Sequence, residues 1–225
     1  MRKPGDAIAA GVALVPEARA TQGIIPAHSV ASNMILAVID RLSKGGLVDK
    51  KAANDLTDAQ IERLRVKTAS RDHAVSTLSG GNQQKVVIGK WLAADPDILI
   101  LDEPTAGIDI GSKSEIIRLV RELAAAGKGI IMISSELSEL LTACDRILVM
   151  ADGRVHQDLP REALEDPSVP ADDLAHRLQA AEQRLRSKFR RPSGPGGFPW
   201  LTPSSPTGAR TSSISASSSS SSSLP

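Results

Sequence analysis

The chain of 225 residues contains no tyrosine, two phenylalanines, two tryptophans and a single cysteine. Trp91 is the only Phe, Trp or Tyr before position 189, so the core must be built from Leu, Ile, Val and Ala. Because Cys144 has no second cysteine to pair with, an intramolecular disulfide is excluded and a reducing compartment is favoured. No apolar run approaches the roughly 18–20 residues that a transmembrane helix needs, so any role at a membrane depends on a partner.

The chain as a whole also has no large excess of positive or negative charge, since its net charge is +1. Residues 176–225 carry seven Lys or Arg and one acidic residue, and the first 175 residues carry a net charge of −5. A nucleic-acid-binding surface needs clustered basic residues, so the acidic body argues against a nucleic-acid partner. The basic end of the chain is typical of a solvated extension.

Short apolar runs alternate with amphipathic stretches along the first two thirds of the chain. Strands are predicted at residues 13–15, 98–101, 129–134 and 146–151, and helices at about 32–42, 51–66, 82–93, 113–126 and 136–143. The unbroken apolar run at 98–101 is typical of a strand that is covered on both faces. The alternation of strands and helices from residue 98 onwards predicts parallel βαβ units, with residues 146–151 as the last parallel strand.

Composition divides the chain into three parts. Residues 1–160 are predicted to be an α/β unit, in which about 25–95 form a small helical subdomain. Residues 161–191 are predicted to be a helical extension. Residues 192–225 are rich in Pro, Gly and Ser and contain an unbroken serine run at 217–223. They are predicted to be a disordered tail because they cannot bury enough apolar surface to offset their chain entropy.

Two short motifs carry chemical information. Residues 78–85 read LSGGNQQK at the predicted start of a helix, where glycines let backbone N–H groups approach a phosphate and the helix dipole favours an anion. Asp102 and Glu103 follow an apolar strand, 23 positions beyond Ser79. In this Walker B arrangement Asp102 would hold Mg²⁺ and Glu103 would activate the attacking water. Taken singly, each motif also fits a plain helix cap or turn.

Together these motifs resemble the ATPase subunit of ATP-binding-cassette (ABC) transporters. The matching stretches are LSGGNQQK, ILILDEPTAGIDIGSK, IIMISSEL and DRILVMADGRV. The stretch LVPEARATQG and the NQQK variant further resemble the second ATPase domain of the double-domain subunits that drive monosaccharide import. The resemblance covers roughly residues 5–160. It implies a truncated P-loop NTPase-like parallel sheet with a small helical subdomain, and it implies ATP and Mg²⁺ as cofactors.

The resemblance also assigns roles to individual residues. The nucleotide-binding residues would be Leu78, Ser79, Gly80, Gly81, Asn82 and Gln83, among which Ser79, Gly80 and Gly81 would contact the γ-phosphate of an ATP held by a facing domain. Asp109 would lie in the loop that links the two sites of a dimer. Ser135 stands where many relatives carry a switch histidine, and Glu17 where many carry a glutamine near Mg²⁺ and the membrane partner. Serine is shorter than histidine and cannot become a cation.

No Gly-x-x-x-x-Gly-Lys-Ser/Thr motif occurs in the 225 residues. That loop supplies the N–H groups, the lysine and the hydroxyl that hold the β- and γ-phosphates. We therefore expect the chain to be a fragment, from a truncated gene or an incomplete sequence, and to be inactive alone. We also expect it to complete a partner's ATP site through residues 79–82.

The partners implied by the resemblance are a second ATPase domain that carries the phosphate loop, integral membrane permease subunits and, indirectly, a periplasmic or extracellular sugar receptor. The implied location is the cytoplasmic face of the cell membrane. Two alternatives stay open. One is a non-transport ABC ATPase, although the roughly 60 residues between Glu17 and Ser79 leave no room for the long coiled coil of DNA-repair relatives. The other is a non-catalytic interaction module that completes a partner's site in trans.

Overall fold

The computed structural model describes residues 3–151 and 153–160, in which helices pack against a three-stranded parallel sheet. The helices of this part are α1 (Pro4–Ala9), α2 (Val30–Ile35), α3 (Lys50–Leu64), α4 (Gly80–Leu92), α5 (Ile110–Ala125) and α6 (Leu137–Ala143). The strands are β1 (Val12–Val15), β2 (Ser43–Lys44), β3 (Leu47–Val48), β4 (Ile98–Asp102), β5 (Gly129–Ile133), β6 (Arg146–Ala151) and β7 (Arg154–Pro160). Single turns of π or 3₁₀ type lie at Arg19–Gly23, Leu36–Val38 and Val75–Thr77.

The parallel sheet has the strand order β1-β4-β5, so β4 is its central strand. In register, Val15 lies beside Leu101 of β4, and Leu101 lies beside Met132 of β5. The predicted α/β fold with a parallel sheet is thereby confirmed. Because parallel strands end at one edge of the sheet, the loops after β1, β4 and β5 leave the sheet on the same side.

The two faces of this sheet differ in burial. Val15, Leu99 and Leu101 are at most 1% exposed and belong to the hydrophobic core that α4 and α5 cover. On the opposite face, Leu14 and Ile131 are about half exposed, at 48% and 52%. The expectation that residues 98–101 are covered on both faces is therefore wrong for the residues that the structure describes, because α4 and α5 pack on one face only.

The region between β1 and α4 contains α2, α3 and a small hairpin. Ser29 begins α2 by accepting a hydrogen bond from the Ser32 amide at 3.0 Å. The helix predicted at 32–42 is shorter than expected, because α2 ends at Ile35 and continues only as a 3₁₀ turn. Gly45 and Gly46, with φ angles of 58° and 81°, form the turn between β2 and β3 rather than a helix stop. Left-handed backbone of this kind is where glycine is favoured.

The prediction that residues 146–151 form the last parallel strand of the sheet is also wrong. β6 pairs antiparallel with β7 instead of joining the β1-β4-β5 sheet. Gly153, at a φ of 70°, turns the chain back, so β6 satisfies its backbone hydrogen bonds on its immediate neighbour in sequence. Arg146 and Asp158 join the two strands with a hydrogen bond of 2.7 Å from Nε to Oδ1.

None of the helices within residues 3–151 and 153–160 has the length and apolarity needed to cross a bilayer. The predicted helical extension at 161–191 and the predicted tail at 192–225 lie outside the described residues. The proposed boundaries of a helical subdomain at about 25–95 stay a prediction.

Candidate active site

The LSGG motif forms the start of α4. Ser79 occupies the N-cap position with extended backbone and is exposed, Gly80 is partly exposed and Gly81 is buried. The Ser79 hydroxyl accepts a hydrogen bond from the Asn82 side-chain amide at 2.9 Å and does not cap the helix backbone. Gln83 donates from Nε2 to the Leu78 carbonyl at 3.0 Å. The side chains of Asn82 and Gln83 therefore hold the turn that leads into the helix.

The two glycines allow α4 to begin very close to the loop that follows β4. A Cβ atom on Gly81 would lie 2.4 Å from both Cβ and Oγ of Ser112. A Cβ atom on Gly80 would lie 3.4 Å from the carbonyl oxygen of Gly107. Since real Cβ contacts are almost never shorter than 3.0 Å, Gly81 is required by packing against the first turn of α5.

A buried lysine ties α4 to α5. The side chain of Lys85 is 5% exposed, and its Nζ donates to a Glu115 carboxylate oxygen at 2.8 Å and to the Arg65 carbonyl at 3.1 Å. The hydrogen bond from Lys85 holds the pKa of Glu115 below its ordinary value. The Lys67 amide donates to Asn82 Oδ1 at 2.8 Å, which ties the loop at Lys67 to the first turn of α4. The start of α4 is thus held on several sides.

The acidic pair lies where β4 ends. Asp102 is the last residue of the strand and is partly buried, and Glu103 follows with a positive φ of 45°. The Glu103 amide donates to the Ile133 carbonyl at 2.9 Å, which ties the turn to the end of β5. Ser135 donates from its hydroxyl to a Glu103 carboxylate oxygen at 3.3 Å. The structure therefore brings Glu103 and Ser135 together across two adjacent loops.

A second carboxylate, absent from the sequence-based candidates, lies behind these loops. Glu139 is 7% exposed and accepts hydrogen bonds from Thr105 Oγ1 at 2.6 Å and from Ser134 Oγ at 2.9 Å. Lys113 Nζ lies 3.6 Å from the same carboxylate. Glu139 thus joins the loop after β4 to the loop after β5. The sequence gives no signal for this role, since Glu139 is an ordinary acidic residue of the short α6 helix.

Asp109 begins α5. Its Oδ1 accepts a hydrogen bond from the Ser112 amide at 3.0 Å, in the usual arrangement of an N-cap aspartate. This hydrogen bond lowers the pKa of Asp109. The residue is exposed, so the cap stands at the surface. Asp109 therefore stabilises the first turn of its own helix.

We expect Asp109→Asn to weaken the dependence of stability on acid pH. The folded-state pKa of Asp109 is depressed, so its stabilising contribution is present above the unfolded pKa of roughly 3.9 and is lost as pH falls through the folded pKa. Asparagine caps a helix without titrating. Urea midpoints measured from about pH 5.5 to 2.5 should therefore fall less in the variant than in the wild type.

The exposed Asp40 provides the control for this measurement, since Asp40→Asn removes a carboxylate that caps no helix. The wild-type acid dependence should survive in that variant. An acid limb in Asp109→Asn as steep as in the wild type would contradict the assignment of the cap.

Glu17 lies two positions beyond Val15, the residue of β1 that stands beside Leu101 of β4. It is exposed in the segment that follows β1. In the part of the chain that the structure describes, no hydrogen bond or ion pair joins its side chain to Asp102 or Glu103. Its predicted position near Mg²⁺ therefore stays a prediction.

The carboxylates at the end of β4 suit a hard cation. Mg²⁺ prefers oxygen ligands and is commonly bound by one or two carboxylates together with water and substrate phosphates. Among residues 3–151 and 153–160 no cluster of three or more His, Cys, Asp or Glu side chains stands ready for a metal. Asp102 fits the role of a single carboxylate ligand to Mg²⁺, with phosphate oxygens and water completing the coordination.

Comparison with known proteins places these motifs in a family context. The family model described as "ABC transporter" matches residues 5–106. The chain is 46% identical over 171 residues to the xylose import ATP-binding protein XylG of Brucella abortus, covering 76% of this chain and 34% of that protein. It is 48% identical over 187 residues to the ribose import ATP-binding protein RbsA of Rhodopirellula baltica, covering 83% and 35%. The chain thus spans about a third of the length of these relatives.

Two solved structures share the fold. One is an ATP-binding cassette in a dimeric post-hydrolysis state bound to ADP and Pi, with a TM-score of 0.56, 22% identity and coverage of 67% of this chain and 62% of that chain. The other is a further ATP-binding cassette of an ABC transporter, with a TM-score of 0.59, 23% identity and coverage of 75% and 70%. At these identities the likeness establishes the fold alone.

Proposed function

We propose that the chain contributes one wall of an ATP site in a monosaccharide importer, starting from the match of the ABC transporter family model to residues 5–106. The observation that carries the proposal is the packing of the start of α4 against the turn at Gly107. It leaves Ser79, Gly107 and Asp109 exposed near the helix start. A surface of this kind is open to contact by a second molecule.

The start of α4 suits a phosphate. The helix has 13 residues, and the N–H groups of its first turn have no partners within the helix. These donors and the positive end of the helix dipole favour an anion. Gly80 is partly exposed, and the exposed Ser79 adds a hydroxyl beside these donors. We propose that this surface contacts the γ-phosphate of an ATP whose phosphate loop belongs to a facing domain.

Asp102 and Glu103 would serve a second ATP site, on this chain's own sheet, which needs a phosphate loop that the 225 residues do not contain. Asp102 would be a ligand of Mg²⁺, which when bound neutralises charge on the β- and γ-phosphate oxygens. Glu103 would accept a hydrogen bond from the attacking water and orient it, and Ser135 would orient the Glu103 carboxylate through the hydrogen bond already present. These two residues act only where a phosphate loop stands beside them, so we expect no ATP hydrolysis by the isolated chain.

The partners of the proposed importer follow from the relatives' names, which specify xylose and ribose import. We propose a second ATPase domain with a phosphate loop, integral membrane permease subunits and, indirectly, a sugar-binding receptor. Glu17, in the exposed segment after β1, would face the membrane partner. The chain would then work at the cytoplasmic face of the membrane, without a nucleic-acid partner.

A reconstitution assay tests the proposal. The full chain is mixed with an ATPase domain that carries a phosphate loop, from a ribose or xylose import protein, and ATP turnover is measured with Mg²⁺. Wild-type chain should stimulate turnover. Ser79→Arg should lower that stimulation by about 100-fold, because the long side chain would keep the γ-phosphate away from the positioned N–H donors of the helix start, and losing one such donor costs about that factor. Ser76→Arg places the same side chain at an exposed position three residues earlier and should leave stimulation intact.

Two results would contradict the proposal. One is stimulation by Ser79→Arg equal to that of the wild type, and the other is ATP turnover by the chain alone at the rate of the mixture. A Glu103→Gln variant distinguishes the proposed function from the alternative of a non-catalytic module. Unchanged stimulation in that variant would mean that the chain acts only through its signature surface, and loss of stimulation would mean that Glu103 takes part in hydrolysis.

A further inference from the structure

Arg19 connects the segment after β1 with the loop after β4, although 87 residues separate it from its partner. Its Nη1 donates to the Ala106 carbonyl at 2.7 Å, and its Nη2 donates to the Gly107 carbonyl at 3.2 Å. A guanidinium that reaches two successive carbonyls fixes both the position and the orientation of the turn that carries them. Arg19 therefore holds the turn that leads to Asp109.

The same guanidinium touches the start of α4. A Cβ atom on Gly80 would lie 2.8 Å from Arg19 Nη2, so glycine at this position makes room for the arginine. Gly107 leaves a looser gap, since its own Cβ would lie 3.8 Å from either terminal nitrogen. One side chain thus spaces the start of α4 from the Ala106–Gly107 turn.

The positive charge of Arg19 is stabilised by backbone carbonyls. Within residues 3–151 and 153–160, no carboxylate lies within the ion-pair distance of 4.0 Å of its guanidinium. Its Nε is buried and has no hydrogen-bond partner there. The positive charge therefore rests on two carbonyl dipoles and stands next to the positive end of α4. Such an arrangement holds only while the two carbonyls stay in place.

The segment that carries Arg19 contacts α4 at a second place, near the C-terminal end of that helix. Gly23, which ends the π turn that Arg19 begins, accepts a hydrogen bond on its carbonyl from Lys90 Nζ at 2.6 Å. A Cβ on Gly23 would lie 3.0 Å from a Val87 methyl carbon. The short turn therefore contacts both the last part of α4 and its beginning.

We propose that Arg19 is a positioning residue that couples the segment after β1 to the signature surface. It does so by fixing the distance between the start of α4 and the Ala106–Gly107 turn. The inference rests on the proposed function, in which these two places face the same ATP and Glu17, two positions before Arg19, faces the membrane partner. A movement of that segment by the partner would then alter the spacing on which ATP contact depends.

Amide hydrogen exchange on the full chain tests the link without ATP. Arg19→Met removes the charge and the donors at similar length, and we expect amides at 105–109 to exchange about tenfold faster than in the wild type. Arg19→Lys keeps one charged donor and should recover part of the protection. Arg118→Met, which removes an exposed arginine from α5, should leave exchange at 105–109 unchanged. Exchange within twofold of the wild type in Arg19→Met, or an equal effect of Arg118→Met, would overturn the inference.

The reconstituted ATPase mixture supplies the second readout. Arg19→Met should lower kcat by about tenfold with little change in the KM for ATP, because the phosphate loop that binds ATP stands on the other domain. Arg19→Lys should restore part of kcat. If wild-type chain fails to stimulate, the proposed function fails while the exchange measurement still decides on Arg19. If wild-type chain stimulates and kcat of Arg19→Met is unchanged, the coupling is refuted and the proposed function stands.

Discussion

Gly81→Ala should lower the free energy of unfolding by about 3 kcal/mol, at the upper end of what overpacking costs in a core. Gly81 is buried, and an added Cβ would stand 2.4 Å from the Cβ and Oγ of Ser112. Ser112 cannot retreat freely, because its amide is bonded to Asp109 at the start of α5. Urea denaturation of the full chain, followed by circular dichroism, measures the loss.

Two further variants make this prediction specific. Gly5→Ala is the matched control, since a Cβ at Gly5 meets no atom within 4 Å and the residue lies in a helix, where alanine is preferred. It should leave stability unchanged or slightly raised. Adding Ser112→Gly to Gly81→Ala removes the obstructing side chain and should recover most of the loss. A single Gly81→Ala variant within about 1 kcal/mol of the wild type would show that α4 and α5 separate easily.

Glu139→Leu should destabilise the chain by about 2–4 kcal/mol. The substitution keeps the volume but leaves the hydroxyls of the buried Thr105 and the partly buried Ser134 without their acceptor, and an unmade hydrogen bond is costly where water is excluded. The loops after β4 and β5 lose their common anchor at the same time. The midpoint and slope of urea unfolding give the free energy.

The nearby Glu136 supplies a control for Glu139. Both carboxylates lie within reach of Lys113, yet the Glu136 side chain is 50% exposed, whereas that of Glu139 is 7% exposed. Glu136→Leu should therefore cost less than about 1 kcal/mol. A double-mutant cycle with Thr105→Val should show that the losses at Thr105 and Glu139 are not additive, because the two residues share one hydrogen-bonded pair. Equal effects of Glu136→Leu and Glu139→Leu would refute the assignment.

Much of the fold was accessible from the sequence because it depends on local patterns. The apolar run at 98–101 predicts β4, and the parallel sheet follows from the alternation of strands and helices. The failures arise where the outcome depends on distant or competing partners. Residues 146–151 have the composition of a buried parallel strand, but the tight turn at Gly153 lets β7 pair with them first. Likewise, an apolar run does not reveal that only one of its faces will be covered.

The sequence predicts some residues of the candidate site and gives no sign of others. The acidic pair and the Ser-Gly-Gly turn were found because each forms a contiguous motif at the end of a regular element. Arg19 and Glu139 were missed because their partners lie 87 and 34 residues away along the chain. Neither has a local pattern that sets it apart from an ordinary surface arginine or a helical glutamate. Such residues become visible only when the distances across the fold are known.

The left-handed backbone at Glu103 has a consequence for how this position is occupied. A residue with a Cβ is disfavoured in that conformation by roughly 1 kcal/mol relative to glycine. If folding alone decided the residue, glycine would be the better choice there. Arg65 and Asp95 adopt the same kind of backbone, so the conformation by itself assigns no role. A glutamate at this turn fits the proposal that its carboxylate orients the attacking water, for which its backbone strain would be accepted.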